Sequence, residues 1–70
     1  MAEQLLNSLK DERARLGLTQ AELADRVGVS RKTINTVENG VFIPSTTLAL
    51  KLARALGRRV EDIFQLPSQD

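Results

Sequence analysis

The stretch Leu18-Thr19-Gln20-Ala21-Glu22-Leu23-Ala24-Asp25-Arg26-Val27-Gly28-Val29-Ser30-Arg31-Lys32-Thr33-Ile34-Asn35-Thr36-Val37-Glu38-Asn39-Gly40 decides the reading of this 70-residue chain. Thr19 precedes Glu22 by three positions, the spacing at which a hydroxyl and a carboxylate satisfy each other's backbone amides at a helix start. The helix that begins there carries Ala21, Leu23, Ala24 and Val27 inward and stops at Gly28, where a residue without Cβ takes positive φ cheaply. Ser30 then caps another helix, Arg31 to Asn39. Its inner face holds only Ile34, Val37 and Glu38, which leaves Arg31, Lys32, Asn35 and Thr36 outward.

Working outward from this pair, residues 3 to 16 have Leu5, Leu6, Leu9, Arg13 and Leu16 on one face of a first helix, closed by Gly17. Arg13 is the odd member of that apolar stripe. After Gly40 comes the apolar loop Val41-Phe42-Ile43-Pro44. Ser45 then caps a fourth helix with Leu48, Ala49, Leu52, Ala53 and Leu56 inward, stopped by Gly57. Val60, Ile63 and Phe64 outline a short fifth helix whose first turn holds Glu61 and Asp62, where negative charge suits the helix dipole. Leu66-Pro67 ends regular helix. The expectation is an all-α, compact five-helix domain over residues 1–67, with 68–70 as a tail.

Composition narrows the function. With no Cys and no His, the chain has neither disulfides nor thiolate or imidazole chemistry, and it lacks the usual zinc ligands. The carboxylates are spread over helix faces, so no catalytic constellation forms and an enzyme is not expected. No cofactor or metal is implied. Two Phe and no Trp or Tyr leave too little aromatic surface for stacking single-stranded bases. Apolar runs fall far short of the ~20 residues that cross a bilayer, which points to a cytoplasmic protein without a membrane partner. The net charge of +1 hides an asymmetry. Residues 1–25 sum to −2, whereas Arg26 to Val37 hold only Arg26, Arg31 and Lys32, a local +3.

Two short helices joined by Gly28-Val29-Ser30 are the organisation of a helix-turn-helix, whose second helix enters the DNA major groove. A plain helical bundle fits the periodicity equally well, and a solvated basic turn is the ordinary fate of three cations. The residues decide further. Leu18-Thr19-Gln20-Ala21-Glu22-Leu23-Ala24, Gly28-Val29-Ser30-Arg31, Ile34 and Glu38-Asn39-Gly40 resemble the phage repressor and Cro-type (XRE-like) helix-turn-helix family. The likeness continues through Pro44-Ser45, Leu48 to Gly57 and Val60-Glu61-Asp62-Ile63-Phe64.

That resemblance implies sequence-specific binding to double-stranded DNA by a dimer, and transcriptional repression or autoregulation. It places Arg31, Lys32, Asn35 and Thr36 at the base-reading positions, where Arg or Lys suits guanine, Asn adenine and the Thr methyl thymine. Gln20, at the start of its helix, matches a phosphate-binding glutamine, and Thr19 and Thr33 are hydroxyls near the same backbone. Ser30 and Asn39 have two readings each: phosphate ligands, or helix cap and helix terminator. Arg13 and Glu38 match a partly buried ion pair between the first and third helices, which explains the charge on the apolar stripe. Val41 departs from the resemblance, since a basic residue is common there. Val41, Phe42 and Ile43 can meet a partner subunit or fold back on the fourth helix. Arg58 and Arg59 also depart from it and lie too far from the recognition helix to serve DNA.

One recognition helix reads few base pairs, so a homodimer with helices about 34 to 36 Å apart on a palindromic operator is expected. Val60, Phe64 and Leu66 would supply its apolar contact, with Ile63 in the domain's own core. Gln65 and Leu66 can run extended and pair with their symmetry mates. The competing readings are a protein-binding or antitoxin-like module that grips a second protein, and the N-terminal DNA-binding part of a longer ligand-responsive regulator.

Overall fold

The computed structural model describes residues 5–67. Five helices follow a two-residue strand: β1 (Leu6–Asn7), α1 (Leu9–Arg15), α2 (Gln20–Val27), α3 (Arg31–Glu38), α4 (Thr46–Leu56), α5 (Val60–Ile63), and then β2 (Phe64–Gln65). The helix starts form as their sequence signals require. Thr19 accepts from the Glu22 amide while Glu22 accepts from the Thr19 amide, a complete capping box. Ser30 and Ser45 accept from the Thr33 and Leu48 amides, each at 3.1 Å. Gly28 ends α2 at φ +75°, a left-handed turn that any Cβ would strain.

One core joins all five helices. Leu9 of α1, Leu23 of α2, Ile34 and Val37 of α3, Leu52 and Leu56 of α4 and Ile63 of α5 are almost fully buried. Leu18, in the loop before α2, completes it with Ala24, Val27, Leu48, Ala53 and Phe64. From α3 only Ile34 and Val37 enter this apolar core, so Arg31, Lys32 and Asn35 are left at the surface.

Three expectations are corrected. The first helix starts at Leu9, and Leu6-Asn7 is a strand instead. Asn7 Oδ1 accepts from the Leu9 amide, and its Nδ2 donates to the Val37 carbonyl at 3.1 Å, so the side chain both starts α1 and ties it to the end of α3. With α1 ending at Arg15, Leu16 falls outside the helix and is 41% exposed; Leu18 fills the core in its place. Ala21, expected inward, is exposed. The extended C-terminal segment exists, and one of its edges pairs within its own chain: Leu6 faces Gln65 and Asn7 faces Phe64 in antiparallel register. A second tie, from the Ser8 amide to the Ile63 carbonyl at 2.8 Å, holds the two termini of the domain together. The start of the expected first helix at Glu3 and the tail at 68–70 lie outside the described residues. No helix among the described residues is long and apolar enough to cross a membrane.

Candidate nucleic-acid interface

Ile34 and Val37 seat α3 against the core, and the α-helical period then turns Arg31, Lys32 and Asn35 to the surface, where all three are exposed. Neither Arg31 nor Lys32 has an ion-pair partner among the described residues. Both guanidinium and ammonium are therefore available to an outside acceptor. Thr36 is half-buried, and its hydroxyl donates to the Thr33 carbonyl of its own helix.

The α2–α3 corner is wired by polar side chains. Arg13 Nε donates to Glu38 Oε2 at 2.6 Å, and a second guanidinium nitrogen holds the Leu18 carbonyl at 2.8 Å. The ion pair foreseen between the first and third helices is thus in place, with the Glu38 side chain only 4% exposed. Gln20 Nε2 donates to Glu38 Oε1 at 3.0 Å and to Asn35 Oδ1 at 3.3 Å, and Asn39 Nδ2 donates to the same Asn35 oxygen at 3.2 Å. The two Gln20 contacts depend on how α2 and α3 cross, and no spacing in the sequence announces them, whereas Asn39 and Asn35 are neighbours one turn apart at the end of α3.

The helix-turn-helix family model matches residues 9–63, which include the whole of this corner. The chain belongs to the helix-turn-helix family of transcriptional regulators. It is 56% identical over 59 residues to an uncharacterized HTH-type transcriptional regulator of Methanothermobacter thermautotrophicus, covering 83% of this chain and 86% of that one. YgzD of Bacillus subtilis, also an uncharacterized HTH-type transcriptional regulator, is 41% identical over 64 residues, covering 91% and 97%. Among solved structures, the restriction-modification controller protein C.AhdI of Aeromonas hydrophila superposes with a TM-score of 0.73 at 35% identity, covering 77% of this chain and 82% of that one.

The regulator's phosphate candidates divide by what their polar atoms already do. Thr19 and Ser30 are exposed caps whose hydroxyl oxygens accept backbone amides, so the hydroxyl hydrogen is the part left to donate; that of Ser30 lies 3.0 Å from the Thr33 hydroxyl. Gln20, half-buried, spends its side-chain donors within the corner. Asn39 is exposed, with its amide nitrogen on Asn35. The Thr19 amide and hydroxyl hold the Glu22 carboxyl below its ordinary value, so the capping box stays ionised and does not release the helix start near neutral pH.

Away from this corner, Arg58 donates to Glu12 at 2.9 Å and Arg59 pairs with Asp62 at 3.3 Å, so both arginines brace their own domain. Val41 and Ile43 are 78% and 65% exposed, whereas Phe42, 47% exposed, lines a groove with Thr47, Leu48 and Lys51 of α4. At the remaining apolar surface, Phe64 is buried in the core and forms part of a shallow groove with Leu5, Pro44, Ala49, Leu50 and Val60. Leu66 is 67% exposed.

Proposed function

We propose that this regulator binds a palindromic operator in the cytoplasm as a homodimer and represses transcription by occupying it. The observation that carries the reading is the outer face of α3, where Arg31, Lys32 and Asn35 are exposed beside a core that needs only Ile34 and Val37 from that helix. In this reading Arg31, Lys32, Asn35 and the Thr36 methyl meet base edges in the major groove. Thr19, Gln20, Ser30, Thr33 and Asn39 line the flanking phosphates, with the α2 and α3 N-terminal amides and the cap hydroxyls as donors. Val60 and Leu66, together with Leu50, form the apolar dimer surface, while Phe64, expected at that surface, belongs to the core at 8% exposure.

The test is a set of sequences selected from random duplex DNA, followed by gel shifts of the winner across a salt series. Specific binding with log affinity falling linearly in log salt is expected, because each neutralised phosphate releases counterions. Selection of no common motif would sink the reading and favour a module that binds only protein.

A further inference from the structure

We propose that Asn35 reads DNA as a donor only: its amide oxygen is occupied by two donors of the α2–α3 corner, and it therefore selects guanine over adenine. This rests on α3 being the helix in the groove.

The argument starts at the ion pair. Arg13 can only donate and the Glu38 carboxylate can only accept. The Gln20 amide atom 3.0 Å from Glu38 Oε1 is therefore the nitrogen, since an amide oxygen there would face a carboxylate oxygen with no hydrogen between them. That nitrogen also sits 3.3 Å from Asn35, so the Asn35 atom it meets is the oxygen. The Asn39 atom 3.2 Å from that oxygen is in turn a nitrogen. Each orientation follows from the one before, so the buried charge pair sets the direction of the whole chain of amides.

The consequence falls on Asn35. Its oxygen has two lone pairs and receives two donors, which fills it. Its Nδ2 has no partner among the described residues and lies on the exposed face of α3. An asparagine reads adenine by giving one bond to N7 and taking one from N6, and the second half of that pair needs the occupied oxygen. Guanine offers N7 and O6, both acceptors, to the two free hydrogens. Thymine O4 and adenine N7 each accept only one of them, and cytosine N4 is a donor that meets another donor, so guanine alone satisfies both.

Selection from random duplexes with wild type and Asn35→Ala tests this. One operator base pair is expected to be G·C in wild type, to lose its preference in Asn35→Ala, and to be worth about tenfold in affinity. An A·T pair at that position, or a motif unchanged by Asn35→Ala, overturns the donor-only assignment while leaving DNA binding intact. Absence of any motif removes the underlying reading and this inference with it. The lock is tested separately by Gln20→Ala combined with Asn39→Ala, which empties the Asn35 oxygen. Bound sequences should then admit adenine at the same position; an unchanged preference would show that the two donors do not set it. Side-chain amide exchange in the free protein gives a reading without DNA. Gln20 hydrogens should exchange more slowly than those of Asn35, and the reverse order would contradict the network.

Discussion

At the α2–α3 corner, Arg13, Gln20, Asn35, Glu38 and Asn39 are joined by directed hydrogen bonds between 2.6 and 3.3 Å, whereas around α5 the surface is apolar, with Leu50 and Leu66 at 57% and 67% exposure. The difference is one of precision. A hydrogen bond fixes distance and angle, so the corner can hold α3 and its side chains to the tolerance that reading a base edge demands. Apolar contact is non-directional and grows with area, which suits a surface that has only to adhere. The hydrogen bonds at α5, from Ser8 to Ile63 and Asp62 and between Arg59 and Asp62, tie that element to its own domain and leave Leu50 and Leu66 free at the surface.

The largest effect should come from cutting the corner at its charge pair. Glu38→Ala strands Arg13, whose side chain is only 15% exposed, and should cost about 3 kcal/mol in urea unfolding, because the remaining cation keeps its desolvation penalty without its partner. Arg13→Met with Glu38→Leu should recover most of that loss while still disordering the amides that depend on Glu38. A cost below about 1 kcal/mol for Glu38→Ala would place the pair with exposed ion pairs and dissolve the contrast between the two regions.

The next effect lies on α3 itself. Arg31→Ala and Lys32→Ala should each remove about 1 to 3 kcal/mol of operator affinity, and neither should change stability by more than about 0.5 kcal/mol, since both side chains stand outside the packed face. Relaxed preference at one base identifies base reading. A uniform loss across all sequences, with a salt slope lower by about 1, identifies a phosphate contact instead.

Why the corner was only half readable in the sequence follows from range. The caps at Thr19, Ser30 and Ser45 and the turn at Gly28 are local, each decided within about three residues, and the structure contains them where their spacing puts them. Arg13 stood out because a charge on an apolar stripe demands a partner. The strand at Leu6-Asn7 did not stand out, since two residues show no period and their partners lie nearly the whole chain away. Asn7-Ser8 ahead of Leu9 was a helix-start signal, but the recurrence of Leu5, Leu6 and Leu9 reads as continuous helix and masks it. The link from Gln20 to Asn35 depends on the crossing of two helices, a quantity that composition and spacing do not contain.

At the apolar surface, Leu66→Asp and Leu50→Asp should leave monomer stability within about 0.5 kcal/mol of wild type, because both side chains are already exposed. Sedimentation equilibrium should nevertheless show self-association weakened, with operator affinity falling in step. Phe64 cannot serve as this probe, since its ring is in the core and an aspartate there would unfold the domain. Full dimerisation by both variants would mean that the exposed Val41-Phe42-Ile43 loop or another face carries the contact.

The smallest effect separates the two regions by acid. Glu22 at the corner is held below its ordinary value of 4.5 by the Thr19 amide and hydroxyl. Glu12, which braces Arg58 after α4, is lowered by hydrogen bonds from Arg15 and Arg58. Each folded-state value lies below the unfolded one, so the stability they add is complete above about pH 5 and is lost as pH falls through the folded values. The donors differ in kind. Those of Glu22 are neutral, whereas those of Glu12 are cations on the surface, whose attraction added salt weakens. Thermal unfolding between pH 3 and 7 should therefore show an acid slope that 1 M salt reduces. Glu12→Gln should remove the salt-sensitive share of that slope and Glu22→Gln the salt-resistant share, while Gln at position 22 still completes the capping box at neutral pH. Equal salt sensitivity in the two variants would show that charge, not directed hydrogen bonding, governs the start of α2 as it does the bracing of α1.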